Sequence, residues 1–286
     1  MDSSNNKYVY IYPEAGFNDM LAQLQVVIDY CKKNNRKVLF DFKYSVFNKV
    51  NFAEYFDILD NIIIYDSNII REICIRNNNS VYPESLNNKL ILNNNINSDK
   101  LSNIFYNSGS NNIAIEFPSD KCTKNIIVSI RVGGGNGYNI FKELIPKQTL
   151  KQYCQNNYKK IPKPYLSIHI RNTDIKTDYK KLYYQNKNLI HQYKTIYIAT
   201  DDKTSLDFFR QHGLKIYNFT TFPDQRYHNL HQSSAINGDI KFKDMISDLF
   251  CVSMSDKFFS NSSGGFTHLL KECYNNKNLI RDKFKL

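Results

Sequence analysis

Apolar residues along this chain follow two rhythms. Compact runs have the length and the β-branched and aromatic content of buried strands: YVYIY from Tyr8, KVLFDF from Lys37, NIIVSIRV from Asn125, YLSIHI from Tyr165, TIYIAT from Thr195, LKIYNF from Leu214 and KFFS from Lys257. Between them lie longer stretches with apolar residues three and four apart. The clearest spans about Asn18–Asn34, where Met20, Leu21, Leu24, Val27, Ile28 and Cys31 share one helical face. Further helices are predicted over Thr149–Lys160, over Thr204–His212 with Gly213 as C-cap, over about Lys241–Ser255, and from the NSSGG stretch to about Tyr274.

The first strand, a turn at Gly16, the first helix and the strand from Lys37 make a β-α-β unit, the building block of a parallel sheet with covered faces. Residues 45–115 are rich in Asn and read as loops around short elements. The alternation of strands and helices in the second half predicts a doubly wound α/β domain. Pro162 and Pro164 in KKIPKPYL impose extended backbone and read as an interdomain linker, so the expected domains are 1–160 and 161–286. In such sheets ligands bind outside the carboxyl ends of the strands. That rule selects HIRNTD (169–174), ATDD (199–202) and SNSSGG (260–265).

Composition narrows the function classes. With 42% hydrophobic and 14% aromatic residues the chain has enough apolar material for a packed core, which excludes a disordered tail. A formal charge of +11 raises nucleic-acid or anionic-membrane binding. However, no run of five or six basic residues and no zinc-finger, basic-zipper or RNA-recognition pattern is present, so no nucleic-acid partner is expected; a ligand carrying phosphates fits the charge equally well. The six cysteines are scattered without a C-x-x-C, as reduced core thiols rather than metal ligands. The N-terminus lacks a basic segment followed by an apolar one, and no apolar stretch is long enough for a membrane span. The expectation is a soluble, cytoplasmic protein.

Each strand end has a chemical and a bland reading. Arg171 offers a planar fork suited to a pair of phosphate oxygens. NSSGG places Ser262, Ser263 and exposed backbone N–H groups at a helix N-terminus, which favours an anion; helix capping alone also explains the serines. Likewise His169 is read either as a satisfied strand-end histidine or as a ligand contact. Asp174 and Asp178 are read either as loop carboxylates or as acid-base groups, and Asp201 and Asp202 either as caps or as site acids. GGGNGY (133–138) lacks the Lys-Ser/Thr of a phosphate loop and reads as a turn, or as an acceptor loop. Tyr179, Tyr183 and Tyr184 are read as half-buried side chains, with stacking on a sugar or base as the alternative.

HIRNTD, then IYIATDD, then DLFCVSMSDKFFSNSSGG, in that order, resembles the donor-binding half of GDP-fucose-dependent fucosyltransferases, the α1,2-, α1,6- and protein O-fucosylating enzymes. GFNDMLAQLQVVIDYCKKNNRKVLF resembles their N-terminal unit more weakly. The resemblance implies two Rossmann-like α/β domains facing across a cleft, the GT-B type, with an acceptor side in 1–160 and the nucleotide-sugar side in 161–286. It implies an inverting, metal-independent transfer of a sugar, most simply L-fucose from GDP-fucose, to a hydroxyl of a glycan or glycoprotein acceptor, with the nucleotide sugar as co-substrate and no other cofactor. Arg171 matches the arginine on the donor's β-phosphate, His169 a group against the nucleotide, and Asp248 an acid accepting from the guanine edge. Ser262 and Ser263 match diphosphate contacts, and Asp201 and Asp202 an acidic pair near the donor. The second arginine of the family's His-x-Arg-Arg is Asn172 here, which leaves room for another donor such as UDP- or GDP-xylose, or for a non-catalytic nucleotide- or glycan-binding protein. Asp178 is the expected catalytic base, one position earlier than in some relatives, with Asp174 second and Arg171 neutralising the leaving diphosphate. The last helix is expected to cross back to the N-terminal half.

Overall fold

The computed structural model describes residues 6–11, 16–42, 45–47, 49–58, 60–88, 90, 117–118, 122–129, 135–224, 227, 230 and 233–286. Two compact units emerge. One is built from the chain up to Leu144, the other from Ile145–Leu286 together with Val46–Val50.

In the first unit, β1 (Tyr8–Ile11) leads into α1 (Phe17–Asn34) and β2 (Lys37–Phe40), the expected β-α-β unit. β3 (Phe56–Asp57), β4 (Ile63–Ile64), α2 (Ser67–Asn77), β5 (Val81–Tyr82), β6 (Ile126–Ser129) and the short α3 (Tyr138–Phe141) follow. A five-stranded sheet has the order β4-β2-β1-β6-β5, and all its pairings are parallel. The apolar face predicted for α1 is the one that buries, with Met20, Leu21, Leu24, Val27 and Cys31 fully inaccessible. Phe40, Phe42, Phe52 and Phe56 form a ring cluster beside it, each buried ring contributing about 1.5–3 kcal/mol. The last residues of the strand expected over 125–132 lie outside the described residues.

The second unit begins earlier than the prolines suggest. β7 (Ile145–Pro146) and α4 (Gln148–Lys159) belong to it, because α4 turns Leu150, Cys154 and Asn157 inward, and Asn157 donates to Ser247 Oγ at 3.0 Å. KKIPKPYL is therefore not a linker. Ile161 and Tyr165 are buried, Tyr165 donates its hydroxyl to Cys251 O at 2.5 Å, and the Lys163 ammonium sits 3.7 Å over the Tyr158 ring. The break falls at 144/145 rather than near 160, since a helix joins the unit that covers its apolar face, whatever prolines follow it.

The order then runs β8 (Leu166–Ile170), α5 (Tyr179–Ile190), β9 (Ile196–Thr200), α6 (Lys203–Gln211), β10 (Ile216–Tyr217), α7 (Gly238–Ser253), β11 (Lys257–Phe259), α8 (Gly265–Asn275) and α9 (Lys277–Phe284). The sheet order is β10-β9-β8-β11, again all parallel. Every residue of β8 and β9 is buried, as helices on both faces require. α5 has no counterpart in the sequence expectations. Asp178 caps it, and Leu182, Tyr183 and Ile190 bury along it, supplying the crossover that two parallel neighbours need. Gly213 ends α6 at φ +75°, as expected. α9 stays with its own unit: the Phe284 ring packs on Phe250 at 4.6 Å in a tilted arrangement, and Gln155 Nε2 donates to Phe284 O at 2.6 Å. Five cysteines are buried, Cys122 is half-buried, and all six are unbridged. Burial pushes the Cys31 and Cys74 thiols up to about 12. Among the described residues, no helix is long and apolar enough to cross a membrane.

Candidate active site at the second switch point

Strand order decides where the second unit can hold a ligand. From β8 the chain moves outward through β9 to β10, then returns to the other side of β8 as β11. The crevice beyond β8 and β11 is thus the topological switch point of this sheet. HIRNTD leaves β8 there, and SNSSGG leaves β11 beside it.

The two loops are stitched together by short polar side chains. Arg171 N donates to Ser262 Oγ at 3.0 Å, and Ser262 Oγ lies 2.6 Å from Thr177 Oγ1. Thr177 Oγ1 donates to Arg171 O at 2.5 Å, and Asn261 Nδ2 donates to Asp178 O at 3.0 Å. Ser262 is buried within this stitching, whereas Ser263 is exposed at the start of α8.

Arg171 is held from two sides. Its Nε donates to Asp174 Oδ1 at 2.8 Å and its Nη2 to Asp174 Oδ2, a bidentate pair that fixes the guanidinium plane. On the other side lies Gly264, the N-cap of α8, at φ +122°. A Cβ built on Gly264 would stand 3.0 Å from Arg171 Nη1 and 3.4 Å from Ile175 Cδ1. The glycine therefore serves twice, for its backbone conformation and for the space the guanidinium takes. Arg171 and a helix N-terminus converge, as the sequence suggested, at one place on the sheet edge.

His169 lies deeper. Its ring is buried, with Nδ1 3.4 Å from Ser260 Oγ and 3.3 Å from Thr267 Oγ1, and Phe266 meets it edge-on at 5.7 Å. Burial, then the nearby charges of Arg171 and Lys271, hold its pKa down to about 3, so the imidazole is neutral throughout the working pH range. The acidic pair after β9 braces the Arg171 loop. Asp201 accepts from Asn172 N at 2.7 Å and Thr173 Oγ1 at 2.6 Å; burial pushes its carboxyl up against the opposing effect of these bonds. Asp202 accepts from Asn172 Nδ2 at 2.6 Å and caps α6 through Thr204 N at 2.9 Å. Asp178 caps α5 through Lys181 N at 2.9 Å and is exposed.

Asp248 lies apart from these loops, buried on α7. It accepts from Tyr197 OH at 2.5 Å and Thr220 Oγ1 at 3.2 Å, and burial pushes its pKa up to about 7. One turn earlier, Asp244 accepts from Tyr153 OH at 2.5 Å and Thr221 N at 2.8 Å. The two buried acids pin the loop that follows β10. Tyr179 and Tyr183 pack in an aromatic cluster with Phe208 and Phe209, and Tyr184 is largely exposed. Part of GGGNGY lies outside the described residues. Gly135 and Gly137 dock on the start of α1, where Asn18 Oδ1 accepts from Gly137 N at 3.0 Å. Among the described residues, no cluster of His, Cys, Asp or Glu is arranged to hold a metal ion.

With this geometry in place, solved structures give a direct comparison. The NodZ α1,6-fucosyltransferase co-crystallised with GDP superposes with a TM-score of 0.58 at 15% identity, over 94% of this chain and 92% of that one. This chain shares the fold of that fucosyltransferase. NodZ from Bradyrhizobium gives 0.57 at 15% identity over 94% and 93% of the two chains, and POFUT1 in complex with GDP gives 0.56 at 12% over 97% and 96%. No family model matches the chain, and no curated protein does.

Sequence reasoning missed Gly264, Thr177, Thr173 and Asn261. A Gly-Gly pair directly before a helix and two threonines within six residues of an arginine are signals that were present in the chain. Their partners were not, because the bond from Arg171 to Ser262 spans 91 residues.

Proposed function

We propose that the chain is a glycosyltransferase that moves a sugar, L-fucose from GDP-fucose, to a hydroxyl of a glycan or glycoprotein, inverting the anomeric centre without a metal ion. One observation carries this reading: the Arg171 guanidinium, clamped by Asp174, lies against Gly264 at the N-terminus of α8, on the switch point of a parallel sheet. A guanidinium and a helix N-terminus together neutralise a departing diphosphate, as an anion stabilised by preorganised donors requires. Fold likeness to NodZ and POFUT1, both of which were crystallised with GDP and GDP-fucose, supports a guanine nucleotide as the carrier.

In this mechanism Arg171 and the exposed Ser263 end of α8 hold the diphosphate. Asp201 and Asp202 keep the loop that carries Arg171 in register through Asn172 and Thr173. Asp178, on the same loop, takes the proton from the acceptor hydroxyl as the anomeric carbon is attacked. Asp174 orients Arg171 and is the weaker candidate for base, since both of its oxygens already accept from the guanidinium. The neutral His169 packs beneath the nucleotide, and Asp248 receives the guanine edge. Asn172 supports a second reading, a donor other than GDP-fucose such as UDP- or GDP-xylose, because its amide is committed to Asp202.

Calorimetry of the protein against GDP, UDP, GDP-fucose and UDP-xylose, with EDTA present throughout, tests both. Selective GDP binding supports the first reading, and UDP preference the second. Failure to bind any nucleotide sinks them together and leaves a non-catalytic role.

A further inference from the structure

The net charge of this protein is confined to the half that carries the candidate site. Residues 145–286 hold 23 Lys and Arg against 12 Asp and Glu, a net +11, whereas residues 1–144 hold 15 of each. A lysine-rich composition imposed on the whole sequence would not produce this division. Glutamate makes the contrast sharper: six occur before residue 145 and one, Glu272, after it.

Structure shapes how this imbalance is displayed, because seven of the twelve acids of the second unit are engaged in local contacts. Asp178 and Asp202 cap α5 and α6, where the partial positive charge of a helix N-terminus offsets them. Asp201, Asp244 and Asp248 are turned inward onto N–H and O–H donors, and Asp174 faces Arg171. Asp256 accepts from Tyr165 N. The lysines are mostly at the surface: Lys180, Lys181, Lys187, Lys194, Lys203, Lys215, Lys257, Lys271, Lys277 and Lys285 are all exposed. Lys194 and Lys215 precede β9 and β10, and Lys257 opens β11. In a parallel sheet these three sit at the amino edge, opposite the strand ends that carry Arg171 and Ser263.

We infer that the second unit acts as a whole-domain electrostatic collector, so that long-range attraction by surface lysines outside the site sets the association rate of its anionic ligand, a diphosphate-bearing nucleotide. This rests on the donor reading above. The field of a domain, as distinct from a contact, raises on-rates and leaves the bound complex nearly untouched. It also reaches only as far as salt allows, about 30 Å at 0.01 M and about 8 Å at 0.15 M.

Stopped-flow association of a fluorescent GDP analogue with the full chain separates these effects. In the unmodified protein kon falls about tenfold between 0.01 M and 0.15 M salt while koff stays constant. The triple variant Lys194→Glu, Lys215→Glu, Lys257→Glu loses about threefold to tenfold in kon at 0.01 M salt, converges with the unmodified protein at 0.15 M, and keeps its koff. The neutral triple with Gln shows a smaller loss in the same direction and guards against misfolding of the first. Tight GDP binding with a salt-independent kon, or a loss confined to koff, overturns the collector and leaves the donor site standing. Absence of GDP binding overturns both.

Discussion

The two parallel sheets each have a switch point, and the described residues at the two places differ in chemistry. In the first unit it lies between β1 and β6. Among the described residues the bonds there come mainly from neutral side chains: Asn18 bonds Gly135 O, Gly137 N and the neighbouring Asp19, Gln23 Nε2 donates to Ser129 O at 3.2 Å, and Ser129 Oγ is buried without a partner. In the second unit the same topology carries a clamped arginine, four nearby carboxylates and the N-terminus of an eleven-residue helix. Topology supplies a crevice, and residue identity at the strand ends decides whether it can grip an anion.

The comparison breaks most cleanly at the second switch point. Asp178→Asn is expected to lower kcat for sugar transfer by about 10²–10⁴-fold with GDP affinity unchanged, measured by product formation alongside calorimetry. Arg171→Ala should cost about 10²–10³-fold in turnover and weaken GDP as well. Full activity in both variants removes the assigned roles.

Glycine makes the next distinction. Gly264→Ala is expected to cost about 1–3 kcal/mol from backbone strain and to weaken GDP binding at least tenfold, because the new methyl meets Arg171. Gly213→Ala, also at positive φ but with no atom within 4 Å of the added carbon, should cost about 1 kcal/mol and leave binding alone. Equal effects on GDP would show that the contact with Arg171 is irrelevant.

Asp248 gives a pH signature. Its folded pKa, near 7, is above its unfolded value, so the native state holds the proton more tightly and stability falls as pH rises from about 4 to about 7. Asp248→Asn removes that loss and should make the protein more stable at pH 8 by roughly 1–3 kcal/mol, with little gain at pH 4. Chemical denaturation at the two pH values reads this directly. If Asp248 accepts from guanine in its ionised form, GDP binding strengthens as pH rises through 7 and disappears from the titration in the variant.

The smallest effect belongs to the first switch point. Asn18→Ala removes bonds to the Gly135–Gly137 turn and should destabilise by about 1–2 kcal/mol in thermal unfolding.

Much of the fold was legible in the chain. Short runs that bury completely, such as LSIHI and IYIAT, and the 3.6-residue face of α1 follow from local apolar spacing. Of the site, the strand-end rule picked out HIRNTD, ATDD and SNSSGG, and these are the loops that meet or brace one another. Illegible were the crossover helix α5, whose Lys- and Asn-rich surface masks three inward residues, and the true start of the second unit, which a pair of prolines hid.

By itself the sequence determined two parallel α/β sheets, a concentration of positive charge in the second half, and an arginine at the end of a buried strand. Those features depend on residues near one another in the chain. Only the tertiary structure decided that Ser262 stitches rather than lies open, that Gly264 makes room for Arg171, and that Asp248 is met by Tyr197 and Thr220. Each depends on a partner 28 to 93 residues away, and no local pattern encodes which distant side chain will arrive.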